Sequence, residues 1–106
     1  MKTALLGAAA LLVLLAASPP KKTVVHIRDD AFNPPSVTVR AGDVVSFVND
    51  DDDAHTVTAD DGSWDSEGLN QGQTWSRSFV KNGKIAYHCT VHPFMKGMLV
   101  VQPAKS

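Results

Sequence analysis

Residues 87–95 read YHCTVHPFM and contain the only cysteine of the chain, Cys89. His92 and Met95 follow it in the spacing C-x2-H-x2-M. A second imidazole, His55, opens the separate stretch HTVTA. Together these residues offer one thiolate, two imidazoles and one thioether. Thiolate and thioether favour Cu(I), while imidazole also supports Cu(II). Two histidines and a cysteine in a plane, with a weak axial methionine, suit neither oxidation state fully. Such a site rearranges little when an electron arrives or leaves. Structural zinc more often shows several cysteines, and thioether is not among its usual ligands. Taken singly, each donor has an ordinary reading. A lone inward Cys is usually a small buried hydrophobe, a strand-end Met is usually core filler, and a strand-start His is usually on the surface. Four such donors on two segments that a sandwich brings to one end point instead to a metal.

The elements that must position them are strands. Short runs rich in Val, Ile, Thr and aromatics occur at Thr23–Arg28, Val37–Arg40, Val44–Asn49, His55–Ala59, Thr74–Val80, Ile85–Cys89 and Met98–Gln102. FNPPS, AGD, NDDDDA, ADDGS, NQG and KNGK punctuate them. After residue 18 no stretch has helical spacing. These runs predict an all-β domain, a β-sandwich or small barrel. Asn82–Gly83 is expected to close a hairpin between Thr74–Val80 and Ile85–Cys89. Residues 60–73 could hold a ragged strand or a small helix. Alternation sends Ile85, Tyr87 and Cys89 inward and Ala86 and His88 outward. It also pairs His55 with Val57, opposite Thr56 and Thr58. Trp75, Arg77 and Phe79 would share a face, so Arg77 must lie at an edge or a bulge.

The compartment follows from the N-terminus. Met1 and Lys2 precede Ala4–Ala17, an uncharged apolar run too short to span a bilayer as a helix. Residues 1–18 read as a signal peptide or an uncleaved N-terminal anchor, and 19–106 as the domain. Pro19 after Ser18 makes cleavage there unfavourable, so contact with a membrane is expected only if the segment is kept. A periplasmic or otherwise extracytoplasmic location is expected. An unpaired thiol in that oxidising setting must be buried, paired between chains or held by metal. Without Lys2, nine Lys/Arg remain against eleven Asp/Glu, a charge of about −2, which argues against a nucleic-acid partner.

Here the sequence resembles a known family. YHCTVHPFMKG closely resembles the copper loop of amicyanin. VRAGDVVSFVNDDDDAHTVTADDGSWDSEGL resembles the small bacterial amicyanin/plastocyanin-like cupredoxins. The resemblance spans about residues 23–102. It implies a Greek-key β-sandwich of seven to eight strands with one type 1 copper ion and an electron-shuttling role. By position, His55, Cys89 and His92 would be equatorial ligands and Met95 the axial one. Met98 is the competing axial candidate, but the short loop selects Met95, and Met98 is expected in or near the core. The family usually has Asn after the first ligand histidine, where this chain has Thr56. Ala54 stands where a proline might stiffen the loop.

The expected role is a monomeric mobile one-electron carrier rather than an enzyme. Its partners would be redox proteins such as a c-type cytochrome or a dehydrogenase/reductase. Copper storage, delivery or tolerance is the alternative, although only three methionines occur. A thiol enzyme with Cys89 as nucleophile is disfavoured, because no orienting Asn or Asp stands at a recognisable spacing from either histidine. His92, flanked by Pro93 and Phe94, is the expected electron exit. His88 has no secure role, and His26 is expected to be structural or on the surface. Asp50–Asp53 read as a solvated loop or as a docking patch for a basic partner.

Overall fold

The computed structural model describes residues 19–104. The signal or anchor expected over 1–18 lies outside the described residues. Eight strands form: β1 (Lys22–Arg28), β2 (Ala31–Asn33), β3 (Ser36–Arg40), β4 (Val44–Asn49), β5 (Thr58–Ala59), β6 (Thr74–Ser78), β7 (Gly83–His88) and β8 (Lys96–Gln102). They build two four-stranded sheets, ordered β2-β1-β4-β6 and β3-β8-β7-β5. β1 runs parallel to β4 and β3 parallel to β8, while the other pairs are antiparallel. The expected all-β sandwich is what forms, with no helix among the described residues.

Alternation explains the core. β3 reads exposed-buried-exposed-buried-exposed, with Val37 and Val39 inward. Tyr87 sits at the centre, edge-on to Phe32 and Phe47 with ring centroids 4.8 and 5.5 Å away. It faces Gly97 across the β7–β8 ladder. A Cβ at Gly97 would enter the Tyr87 ring, so glycine there makes room for the aromatic residue.

The hairpin expected at Asn82–Gly83 does not form. β6 pairs with β4 in one sheet, and β7 pairs with β5 and β8 in the other. A two-residue turn of the favoured kind needs positive φ at both central residues. Gly83 has φ 135°, but Asn82 is not among the positive-φ residues. The chain instead turns inward at Phe79, which is buried and exchanges backbone hydrogen bonds with the Gly42–Asp43 turn. The tight hairpin lies elsewhere, between β1 and β2, where Arg28 pairs with Ala31. Its two central residues, Asp29 and Asp30, have φ of 55° and 54°. β2 itself occupies part of the stretch read as punctuation.

Two smaller differences follow from packing. The strand expected over His55–Ala59 is reduced to Thr58–Ala59. Residues 60–73 take the ragged-strand alternative, folding back over it with isolated antiparallel bridges at Asp65 and Leu69 and no helix. His55 and Leu69 exchange hydrogen bonds of 3.1 and 2.8 Å, and Ser66 binds Val57 through both backbone and hydroxyl. Thr56 and Thr58, on the face opposite His55 and Val57, are therefore buried as well. Arg77 is exposed on the edge strand β6, its guanidinium 5.6 Å above the Phe79 ring.

Candidate metal centre

β7 carries the chain into this site. Ile85 is half-buried, and Tyr87 and Cys89 are fully buried, following the predicted inward alternation. The loop 89–95 is closed by its own backbone. The Met95 amide donates to the His92 carbonyl at 2.9 Å, and the Cys89 amide donates to the Met95 carbonyl at 3.2 Å. These bonds bring Met95 back beside Cys89, and its side chain is buried. Met98, expected in or near the core, lies on β8 opposite Ala86 and is half-buried on the face away from Leu99.

His55 approaches from the other segment and is fully buried. Its Nδ1 lies 3.7 Å from Cys89 Sγ and 3.2 Å from His92 Nδ1, and His92 Nδ1 lies 4.0 Å from the same sulfur. A first-row divalent ion has bonds of about 2.0 Å to nitrogen and about 2.3 Å to sulfur, which in a trigonal plane sets N–N near ~3.5 Å and N–S near ~3.7 Å. The three donors already stand close to those separations, so they fit a metal. Backbone amides of Thr56 and His92 point at the sulfur, at 3.3 and 3.4 Å. Hydrogen bonds of that kind steady a thiolate and tune a metal it binds.

Thr56 ties the two segments together. Its hydroxyl accepts from the Thr90 amide at 2.8 Å and lies 2.9 Å from the Thr58 hydroxyl and 3.1 Å from that of Thr90. The link between the first-histidine loop and the cysteine loop, left open at Thr56 by the sequence, is thus made by a hydroxyl. Four donors were read from the sequence; the groups that orient them were not.

The aspartate run is not uniformly solvated. Asp50 binds His26 and Arg28, at 2.8 and 3.3 Å. Asp51 turns inward and accepts from His55 Nε2 at 2.9 Å. Asp52 binds Gln71. A carboxylate only accepts, so His55 carries its proton on Nε2 and aims the Nδ1 lone pair at the other donors. Burial works to raise the Asp51 carboxyl, but hydrogen bonds from the Asp30 and Asp29 amides and from His55 hold it below the usual carboxylate value. The expectation that no Asp or Asn orients either histidine is therefore corrected: Asp51, four residues before His55, does so, and a loop spacing of four does not by itself reveal which way a carboxylate turns. His88 points away from the donors, and its Nδ1 binds Asp60 at 2.6 Å.

His92 is half-buried, its ring centroid 6.1 Å from that of Phe94. Phe94 is 68% and Val91 55% exposed, so both stand at the surface beside His92.

Comparison with known proteins agrees with this geometry. The model of a cupredoxin-like domain matches residues 2–101. Amicyanin-alpha of Methylorubrum extorquens is 39% identical over 105 residues, covering 94% of this chain and 87% of that protein. Amicyanin of Paracoccus denitrificans is 31% identical over 84 residues, covering 74% of this chain and 64% of that one, just under two thirds of its length. The solved structure of a reduced Trp-to-Tyr variant of amicyanin superposes with a TM-score of 0.72 at 30% identity, covering 76% of this chain and 82% of that one. A copper-containing nitrite reductase from Thermus scotoductus superposes equally well, at 26% identity and a TM-score of 0.72, over 86% of this chain but 24% of its own. Sequence and fold comparisons agree, and the chain belongs to the cupredoxin-like family, where it is amicyanin-like.

Proposed function

We propose that this protein is a type 1 copper protein that carries one electron at a time between redox partners, with His55, Cys89, His92 and Met95 as the ligands. The observation that carries the reading is the buried triangle of Cys89 Sγ and the two Nδ1 atoms, with separations of 3.2 to 4.0 Å. Bound copper would supply a Cu(II)/Cu(I) couple. The chain's own residues supply rigidity. Thr56 locks the two ligand segments together, the Thr56 and His92 amides steady the sulfur, and Asp51 fixes the His55 ring. A site held this way changes little between oxidation states, which keeps transfer fast. Four protein ligands would leave no position for a substrate, in keeping with a carrier rather than an enzyme.

His92 would be the exit, since it alone of the four is partly open to solvent. Val91, Pro93 and Phe94 around it form a small apolar surface suited to brief docking. The partner would be a redox protein such as a c-type cytochrome or a dehydrogenase/reductase, met outside the cytoplasm after export by residues 1–18. Exposed Asp52 and Asp53 would favour a basic partner, and electron-transfer rates that do not change with salt would remove that contribution.

The deciding experiment adds Cu(II) to the purified domain and records its visible spectrum. An intense blue thiolate-to-copper band is expected. A colourless protein whose thiol reacts freely would overturn the reading.

A further inference from the structure

We propose that the Asp29–Asp30 turn and Asp51 act as one positioning device, which orients the His55 imidazole and biases bound metal toward its oxidised state. The inference rests on the copper reading above. The tip of the β1–β2 hairpin carries two consecutive non-glycine residues with φ near 55°. Left-handed backbone is unfavourable for residues with a Cβ, although Asp tolerates it better than most. Here it turns two successive amides toward one carboxylate. Asp29 N donates to Asp51 Oδ1 at 2.8 Å and Asp30 N to Oδ2 at 2.9 Å. The Asp51 amide is itself held by Asn49 Oδ1 at 2.9 Å, and Asn49 Nδ2 bonds the Asp53 and Leu69 carbonyls. The carboxylate is therefore held by two amides, and its backbone by a third bond, before it meets the histidine.

Asp51 Oδ2 then accepts a hydrogen bond from the Nε2–H of His55 at 2.9 Å. Asp30 Oδ1 stands 3.5 Å from the same nitrogen. His55 is fully buried and the Asp51 side chain is only 18% exposed, so water screens this contact poorly. Three consequences follow. The ring cannot flip without losing the bond. The Nδ1 lone pair stays aimed at Cys89 and His92. A fixed negative charge behind one ligand also raises the basicity of that ligand and stabilises the more highly charged metal. The flanking aspartates cannot substitute, because Asp50 is taken by His26 and Arg28 and Asp52 by Gln71.

The test compares wild type, Asp51→Asn, Asp51→Glu and Asp52→Asn. Nitrogen-15 NMR of the metal-free wild type should show His55 protonated on Nε2, with that proton protected from exchange. A proton on Nδ1 would overturn the proposal without any variant. In the copper forms, Asp51→Asn should weaken Cu(II) binding about tenfold relative to Cu(I), read as a reduction potential about 59 mV higher. Asp51→Glu, which keeps the charge, should restore most of the difference. Asp52→Asn, which removes an exposed charge nearby, should move the potential by well under half as much. Equal shifts in Asp51→Asn and Asp52→Asn, or no shift in a blue Asp51→Asn protein, would refute the device. A wild type that never turns blue would refute the copper reading instead.

Discussion

Replacing Thr56 by Val keeps the shape of the side chain and removes its hydroxyl. Thr56 is 6% exposed, so the change is felt in a nearly dry setting. The hydroxyl accepts from the Thr90 amide at 2.8 Å and contacts two further hydroxyls. Thr58 keeps Asp65 as a partner at 3.0 Å, so its loss is partly covered. The Thr90 amide has no replacement in this network. Losing one net hydrogen bond costs about 1 kcal/mol, and leaving a partly buried donor unsatisfied adds about 1 kcal/mol more. A total of about 2 kcal/mol in a domain of this size lowers Tm by about 8–16 °C. Urea and thermal unfolding of the metal-free domain would measure it. Thr56→Ser keeps the hydroxyl and should recover at least half of the loss. The copper form of Thr56→Val should also release metal faster, because the two ligand segments are no longer tied. A Thr56→Val domain within about 0.5 kcal/mol of wild type would refute the view that this hydroxyl joins the loops.

Met95→Ala should shift both the visible spectrum and the reduction potential, whereas Met98→Ala, on the opposite face of β8, should leave both near wild type; the reverse pattern would reassign the axial ligand. Tyr87→Phe should leave stability equal or higher by up to about 1 kcal/mol in urea unfolding, because the buried phenol oxygen has no hydrogen-bond partner and its removal lifts a desolvation penalty. Asp43 accepts from the Lys21 and Arg40 amides at 2.9 and 3.0 Å, and these bonds hold its carboxyl below the usual value. Its folded-state pKa is depressed, so its contribution is present above the ordinary carboxylate range and is lost as pH falls through the folded value. Stability measured against pH should therefore fall less steeply below about pH 4 in Asp43→Asn than in wild type.

Much of the site was legible in the chain. Donor chemistry is a property of residue type, so Cys89, His55, His92 and Met95 stood out without coordinates. Strand alternation is a local period, so the inward path of Ile85, Tyr87 and Cys89 and the edge position of Arg77 could be read directly. The family resemblance is carried by the loop that holds three of the four donors.

Pairing between strands is not local, and there the reading failed. KNGK looked like a hairpin, but Phe79 gains more by turning into the core than by continuing a ladder. The hairpin arose instead at Asp29–Asp30, whose strained φ values are supported by a carboxylate 21 and 22 residues further along. The run Asp50–Asp53 read as one charged surface because composition does not show direction. Tertiary structure gave Asp50, Asp51 and Asp52 three different partners. The sequence by itself determined which metal the donors suit and which strand faces carry them. Only the tertiary structure decided what holds the donors in place, because the Thr56–Thr90 and Asp51–His55 bonds exist only once segments distant along the chain are packed into one dry site.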